Sequence, residues 1–455
     1  MTDPSTGNVL CTVADATPTD GIAALNAAAN AQSRWAAYPP RDRGEILRRA
    51  YQLLIDRIDD LALLITLEMG KPLTEARAEI HYAAEFFRWF SEEAVRIDGQ
   101  YSMAPDGDGH FLTLRQPVGP CLLITPWNFP MAMGTRKIGP AIAAGCTMVL
   151  KPAEQTPLST LALVDILLEA GLPPEVLNVV TTSAAADVME PLIRDGRARK
   201  LSFTGSTGVG QRLLAQASHQ VLRTSMELGG NAPFLVFPDA DLNSAVEGAV
   251  HAKLRNAGQA CIAANRIYVH RDVAAQFTDR LVERMATLHV GRGTDAGVSI
   301  GPLIDDRALA KVSALVSDAE ARGVKALLGG STISRPGHFF EPTVLVNVPS
   351  DARICSEEIF GPVAPIVEFD TEEEVLELAN STDYGLVAYV YTTNLDRALR
   401  VSENLQTGMV GLNKTTISNP AAPFGGIKQS GIGREGGSVG IDEFLETKYV
   451  AVRTN

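Results

Sequence analysis

Cysteine is scarce in this chain of 455 residues: Cys11, Cys121, Cys146, Cys261 and Cys355 are the five. Their scatter excludes a disulfide framework and points to a reducing, cytoplasmic compartment. No C-x-x-C or H-E-x-x-H occurs and the seven histidines are dispersed, so no metal site is expected. Long apolar runs are also missing. The stretch "LLIDRIDDLALLITLEMG" is interrupted by charge and reads as an amphipathic helix, not a membrane span. Basic residues are outnumbered, 40 Lys and Arg against 53 Asp and Glu. The resulting net charge of −13 argues against nucleic acid or an anionic membrane as partner. The first residues lack a basic start followed by an apolar stretch, so no secretory signal is expected.

What is present fits a globular protein of two or more domains, with 45% apolar and 20% charged residues. Residues 20–96 carry helical periodicity. The run "RGEILRRAYQLLIDRIDDLALLITLEMG" ends at Gly70 and Pro72, and "EARAEIHYAAEFFRWFSEEAVRI" is a second long helix. The stretch "GQYSMAPDGDGHFLTLRQPVG", near residues 100–117, reads as an extended excursion. From Pro120, short apolar runs ("CLLITP", "TMVLKP", "VLNVVT", "KLSFTG") alternate with helical segments. This pattern predicts βαβ units on a parallel sheet. A second α/β pattern starts near Gly230 with "APFLVFP", "RIYVH", "PTVLVNV", "APIVEF", "GLVAYVYT" and "GMVGLN". The tail "EFLETKYVAVRTN" reads as a strand that pairs with the excursion or with another subunit.

In such sheets ligands lie beyond the strand carboxyl ends. Those ends carry Trp127 and Asn128, then Lys151 and Glu154, then Gly205 and Ser206. The turn "FTGSTGVG" frees N–H groups at a helix start, where a pyrophosphate can bind. Its glycines do not spell G-x-G-x-x-G, and a ligand-free strand–helix turn is an equal reading. Lys151 and Glu154 can bracket ribose hydroxyls, or be a surface lysine and a helix-start glutamate. A carboxylate there repels a 2′-phosphate and favours NAD over NADP. Asn128 offers an oxyanion donor or forms a turn. Glu227, before a Gly pair, is a candidate general base or an ordinary exposed glutamate. Cys261 stands among small residues, with Arg255 and Arg266 on either side in sequence to favour a thiolate; most free cysteines are inert.

Together, "LEMGKPLTEARAEI", "ITPWNFP", "KPAEQTPLS", "FTGSTGVG", "MELGGNAP", "NAGQACIAANR", "EEIFGPV" and "PFGGIKQSGIGREGG" resemble the aldehyde dehydrogenase superfamily, in order and over nearly the whole chain. The resemblance implies an α/β fold. A Rossmann-type nicotinamide-binding domain would span 1–99 and 118–229, and an α/β catalytic domain 230–436. A small β oligomerisation flap would comprise 100–117 and 437–455, serving a homodimer or homotetramer. By the same resemblance Cys261 is the nucleophile and Glu227 the base. Asn128 and the Cys261 N–H form the oxyanion hole, and Lys151 completes the catalytic set. The cofactor, NAD with NADP possible, would meet Thr125, Pro126, Trp127, Asn128, Lys151, Pro152, Ala153, Glu154, Gly205, Ser206, Gly210, Leu228, Glu358 and Phe360.

Within the superfamily the residues resemble most the succinate-semialdehyde dehydrogenase group. Arg136, Arg255 and Ser418 match positions that grip a substrate carboxylate there. A guanidinium binds a carboxylate through paired hydrogen bonds, so a small anionic aldehyde is the implied substrate. Structural pairing with an acid is the other reading of both arginines. Glutarate or 2-oxoglutarate semialdehyde, or a catalytically silent member, are the competing functions. Ala263 stands where many of the group have a second cysteine, so no disulfide switch is expected in this loop.

Overall fold

The computed structural model describes residues 1–453. Four helices open it: α1 (Pro18–Ala36), α2 (Pro40–Asp56), α3 (Ile58–Met69) and α4 (Leu73–Glu93). The first long periodic run is two helices, not one. Arg57 leaves helical geometry at φ −109°, ψ 20°, and the chain re-enters a helix at Ile58. Gly70 ends α3 at φ 93°, a left-handed cap that glycine adopts without a Cβ clash.

The excursion forms a hairpin of β1 (Gln100–Met103) and β2 (His110–Pro117). The first α/β unit follows: β3 (Cys121–Ile124), α5 (Pro130–Ala144), β4 (Met148–Lys151), α6 (Pro157–Glu169), β5 (Leu177–Val179), α7 (Ala185–Arg194), β6 (Lys200–Thr204), α8 (Thr207–Ala217) and β7 (Arg223–Glu227). Its strands lie in the order β7-β6-β3-β4-β5, all parallel. β4 and β5 build outward on one side of β3, then β6 and β7 on the other. The crevice between the β3 and β6 carboxyl ends is therefore the switch point where ligands bind in such sheets. α5 is buried along its whole length, between the sheet and α4.

The second unit contains β8 (Ala232–Val236), α9 (Leu242–Leu254), β9 (Ala264–His270), α10 (Arg271–Ala286), α11 (Asp306–Ala321), β10 (Lys325–Leu328), β11 (Thr343–Val346), β12 (Val363–Phe369), β13 (Tyr384–Gly385), β14 (Val387–Tyr391) and β15 (Met409–Leu412). Its seven-stranded sheet runs β10-β11-β12-β9-β8-β14-β15, parallel except for the edge strand β10. β8, β9 and β14 are buried almost throughout, because helices cover both faces.

The remaining strands return to earlier elements. β16 (Ile427–Lys428) pairs with β13, and β17 (Gly431–Ile432) pairs antiparallel with β7 of the first sheet. β18 (Leu445–Val452) joins β2, completing a three-stranded sheet with β1. Residues 454 and 455 of the expected C-terminal segment lie outside the described residues. Among the described residues, no helix is long and apolar enough to cross a membrane.

Candidate active site

A crevice of about 320 Å³ opens at the switch point. Its walls include Pro126, Trp127 and Asn128 after β3, Gly205 and Ser206 after β6, and Glu227 and Leu228 at the end of β7. The second unit contributes Cys261, Glu358 and Phe360. Trp127 and Phe360 meet edge to face at 5.4 Å, one ring from each unit. Gly210 does not line the crevice; it lies inside α8, against Leu228. Four buried polar atoms at these strand ends have no protein partner: Thr125 Oγ1, Asn128 Oδ1, Thr204 Oγ1 and Glu227 Oε2. Buried polar groups normally find partners, so this concentration marks a place for a polar ligand and its water. Ser206 N-caps the eleven-residue helix α8, whose first N–H groups face the same crevice.

Asn128 is fixed from behind. Lys71 and Glu79 form a fully buried ion pair at 2.6 Å, and Lys71 Nζ also donates to the Asn128 carbonyl at 2.8 Å. Glu79 accepts the Met131 and Ala132 N–H groups, capping α5. The Asn128 side-chain amide donates to the Gln259 carbonyl at 3.1 Å. Cys261 is presented by a turn in which Asn256, Ala257 and Gly258 have φ of 57°, 55° and 77°. Left-handed backbone costs a non-glycine residue roughly 1–2 kcal/mol. Asn256 offsets part of that cost, donating its backbone N–H to Glu75 and its side chain to the Asn128 carbonyl.

Burial shifts the reactive groups of the site toward their uncharged forms. Burial pushes the part-exposed Cys261 thiol up to about 12, with Arg136 opposing and Glu358 and Glu227 reinforcing. Burial, then repulsion from Glu435, raises Glu227 well above the carboxylate range. Burial likewise raises Glu358, which accepts the Gly230 N–H at 3.2 Å. The arginines flanking the cysteine in sequence are not its counter-ions, which corrects that expectation. Arg266 is buried and donates to the carbonyls of Asn231, Leu378 and Ala379, tying β9 to neighbouring loops. Arg255 lies over the Phe129 ring at 4.8 Å. The cation that acts on the sulfur is Arg136, from α5.

A second, narrow cavity meets Cys261 from the other side. Arg136, Arg255 and Ser418 line it together, with Tyr82, Phe129, Met133 and Phe424. Arg136 stacks on Phe424 at 4.0 Å and pairs with Glu435, while its Nη2 has no hydrogen-bond partner.

A family model described as the aldehyde dehydrogenase family matches residues 1–450. The chain belongs to the aldehyde dehydrogenase family. It is 56% identical over 444 residues to a succinate-semialdehyde dehydrogenase of Paenarthrobacter nicotinovorans, covering 98% of this chain and 99% of that protein. A glutarate-semialdehyde dehydrogenase of Pseudomonas putida is 50% identical over 452 residues, covering 99% of this chain and 94% of that one. A crystal structure of an NADP-dependent enzyme of E. coli superposes with a TM-score of 0.98 at 49% identity, over 100% of this chain and 94% of the other.

In this aldehyde dehydrogenase the expected site residues fall into three places. Ten line the Cys261 crevice and three the narrow cavity. Pro152, Ala153 and Glu154 line a separate depression with residues 12–15 and 181–183. Lys151, the last residue of β4, lines neither wall of Cys261; it is buried, and burial lowers its amine. The sequence reading missed the Lys71–Glu79 pair, eight residues apart, and Tyr82 and Glu435, whose partners Ser418 and Lys137 are distant in the chain. It also missed Arg307 and Lys311, which bring positive charge from α11 to the crevice mouth.

Proposed function

We propose that this dehydrogenase oxidises a small anionic semialdehyde, succinate semialdehyde first, to its carboxylic acid, using NAD or NADP. One observation carries the reading. Arg136, Arg255 and Ser418 line one cavity, and it ends at Cys261. Two guanidinium groups and a hydroxyl suit a carboxylate at the far end of a short aldehyde.

The cofactor fits the first crevice by its orphaned polar atoms, its helix N-terminus and the Trp127–Phe360 pair. When bound, the nicotinamide supplies the hydride acceptor. In this reading Glu358 would hold the adjoining ribose, and Lys151 with Glu154 the adenosine ribose. Glu154 favours NAD by repelling a 2′-phosphate, although Arg307 Nη2 lies 4.0 Å from its Oε1.

The Cys261 thiol gives up its proton to solvent, and the thiolate attacks the aldehyde carbon as the carbonyl π bond breaks, forming the oxyanion of a thiohemiacetal. Its oxyanion is held by the Asn128 amide and the Cys261 N–H. Loss of hydride leaves a thioester on Cys261. Water then attacks the thioester; Glu227 takes the water's proton and the acid leaves as the thiol is restored.

A homodimer or homotetramer is supported by the β1-β2-β18 sheet, which leaves Tyr101, Met103 and Tyr449 more than half exposed. Five free thiols support a reducing, cytoplasmic setting. The Pseudomonas relative keeps glutarate semialdehyde as a second reading, one methylene longer.

Trapping tests the proposal. Glu227→Gln is mixed with succinate semialdehyde and cofactor, quenched, and its peptides weighed. A succinyl group on Cys261 is the expected result. Label on another residue, or none, contradicts it.

A further inference from the structure

Ser418 belongs to the loop between β15 and β16, outside any helix or strand. Its hydroxyl has one side-chain hydrogen-bond partner among the described residues, the phenol of Tyr82, 336 positions earlier. Tyr82 lies on α4, and its ring is braced edge to face on Phe86 at 5.1 Å. α4 packs on α5, which carries Arg136. Tyr82, Arg136, Arg255 and Ser418 thus converge on one cavity. Nothing in the sequence stretch "EIHYAAEFF" signals this.

We propose that Tyr82 is a positioning residue for the carboxylate site: its phenol donates to Ser418 Oγ and so turns the serine's own proton toward the substrate. This rests on the proposed use of an anionic semialdehyde. Each hydroxyl has one proton to donate. A carboxylate only accepts, so a serine that serves it must spend its proton there. The proton between the two oxygens then belongs to Tyr82. The phenol is also the stronger acid of the pair and the better donor. Chains of hydroxyls polarise one another, so the relay strengthens the outer bond. The contact also holds a loop of the second unit against a helix of the first, where Arg136 stands.

The test uses the purified full chain and three variants: Tyr82→Phe, Ser418→Ala and the double variant. The readout is the ratio of kcat/KM for succinate semialdehyde to that for butanal, which has the same carbon count and no carboxylate. Tyr82→Phe keeps the ring and removes one oxygen. It lowers the ratio about five- to tenfold, chiefly through KM for the anionic aldehyde, the size of one neutral hydrogen bond. Ser418→Ala lowers it at least as far, and the double variant no further. Three results overturn the proposal: an unchanged ratio in Tyr82→Phe, equal losses for both aldehydes, or an added loss in the double variant. Equal losses mark a merely structural tyrosine, and an added loss makes Tyr82 a direct ligand. A wild-type enzyme without preference between the aldehydes removes the anionic-substrate reading itself, and the proposal with it, before any variant is measured.

Discussion

Arg136 Nε lies 2.8 Å from Glu435 Oε2, inside the protein. Lys137 holds the other oxygen of Glu435 at 2.6 Å and the Ser202 hydroxyl at 3.0 Å. Arg136 therefore faces two ways, toward the narrow cavity and toward the acids around Glu227. The ion pair with an acid is met at Glu435, and the proposed role as an anion ligand would use the side turned to the cavity.

The two clamp arginines accordingly differ on substitution. Arg255→Ala lowers the succinate semialdehyde to butanal ratio by about 10- to 100-fold, the worth of a charged hydrogen bond. Its melting temperature moves little, because Arg255, stacked on Phe129, forms no salt bridge among the described residues that its loss would strand. Arg136→Ala loses the ratio as well and destabilises the fold by about 3–5 kcal/mol, since it leaves Glu435 buried beside Glu227 with only Lys137. Thermal unfolding beside kinetics separates them; equal stability of the two variants contradicts this division.

The raised Cys261 thiol sets the pH dependence of its reactivity. The thiolate is the nucleophile, and a raised pKa means it forms only as pH climbs. Alkylation of the free enzyme by iodoacetamide, followed by mass of the Cys261 peptide, rises through pH 9 and beyond, above the usual thiol midpoint of about 8.5. A plateau reached below pH 8 shows a preformed thiolate.

In the proposed cycle Glu227 acts after the hydride has left, so its removal separates the two halves of turnover. Glu227→Gln gives a burst of reduced cofactor, about one per active site, then a steady state slowed about 10²- to 10⁴-fold, the usual range for a general base. Stopped-flow absorbance resolves both phases. An unchanged steady state takes Glu227 out of deacylation.

The proposed role of Glu154 makes cofactor choice depend on its carboxylate. Glu154→Ser removes the carboxylate that opposes a 2′-phosphate and leaves Arg307 beside the vacated position. The kcat/KM ratio of NADP to NAD rises about tenfold or more, as expected from relieving a like-charge contact of about 1.4 kcal/mol. An unaltered ratio places cofactor choice elsewhere.

The fold was legible where burial is simple. β3, β4, β6, β8 and β14 are buried on both faces and read as apolar runs between helices. β7, spelled "RTSME", is polar and escaped notice, although it delivers Glu227. The break at Arg57 was invisible because apolar spacing continues across it. Cys261, Glu227 and Asn128 could be singled out by motif, and they meet in one crevice. The electrostatics could not be read that way. Arg266 is five residues from Cys261 yet bonds carbonyls of other loops, while Arg136, 125 residues away, acts on the sulfur. Tyr82 and Glu435 stayed hidden for the same reason, since their partners lie hundreds of residues off in the chain.

The most direct test of the account compares kcat/KM for succinate semialdehyde and butanal in the unmodified enzyme. Two guanidinium groups and an oriented hydroxyl predict a preference for the anionic aldehyde of about a hundredfold or more. Near equality contradicts the account: the cavity lined by Arg136, Arg255 and Ser418 would then not be a carboxylate site.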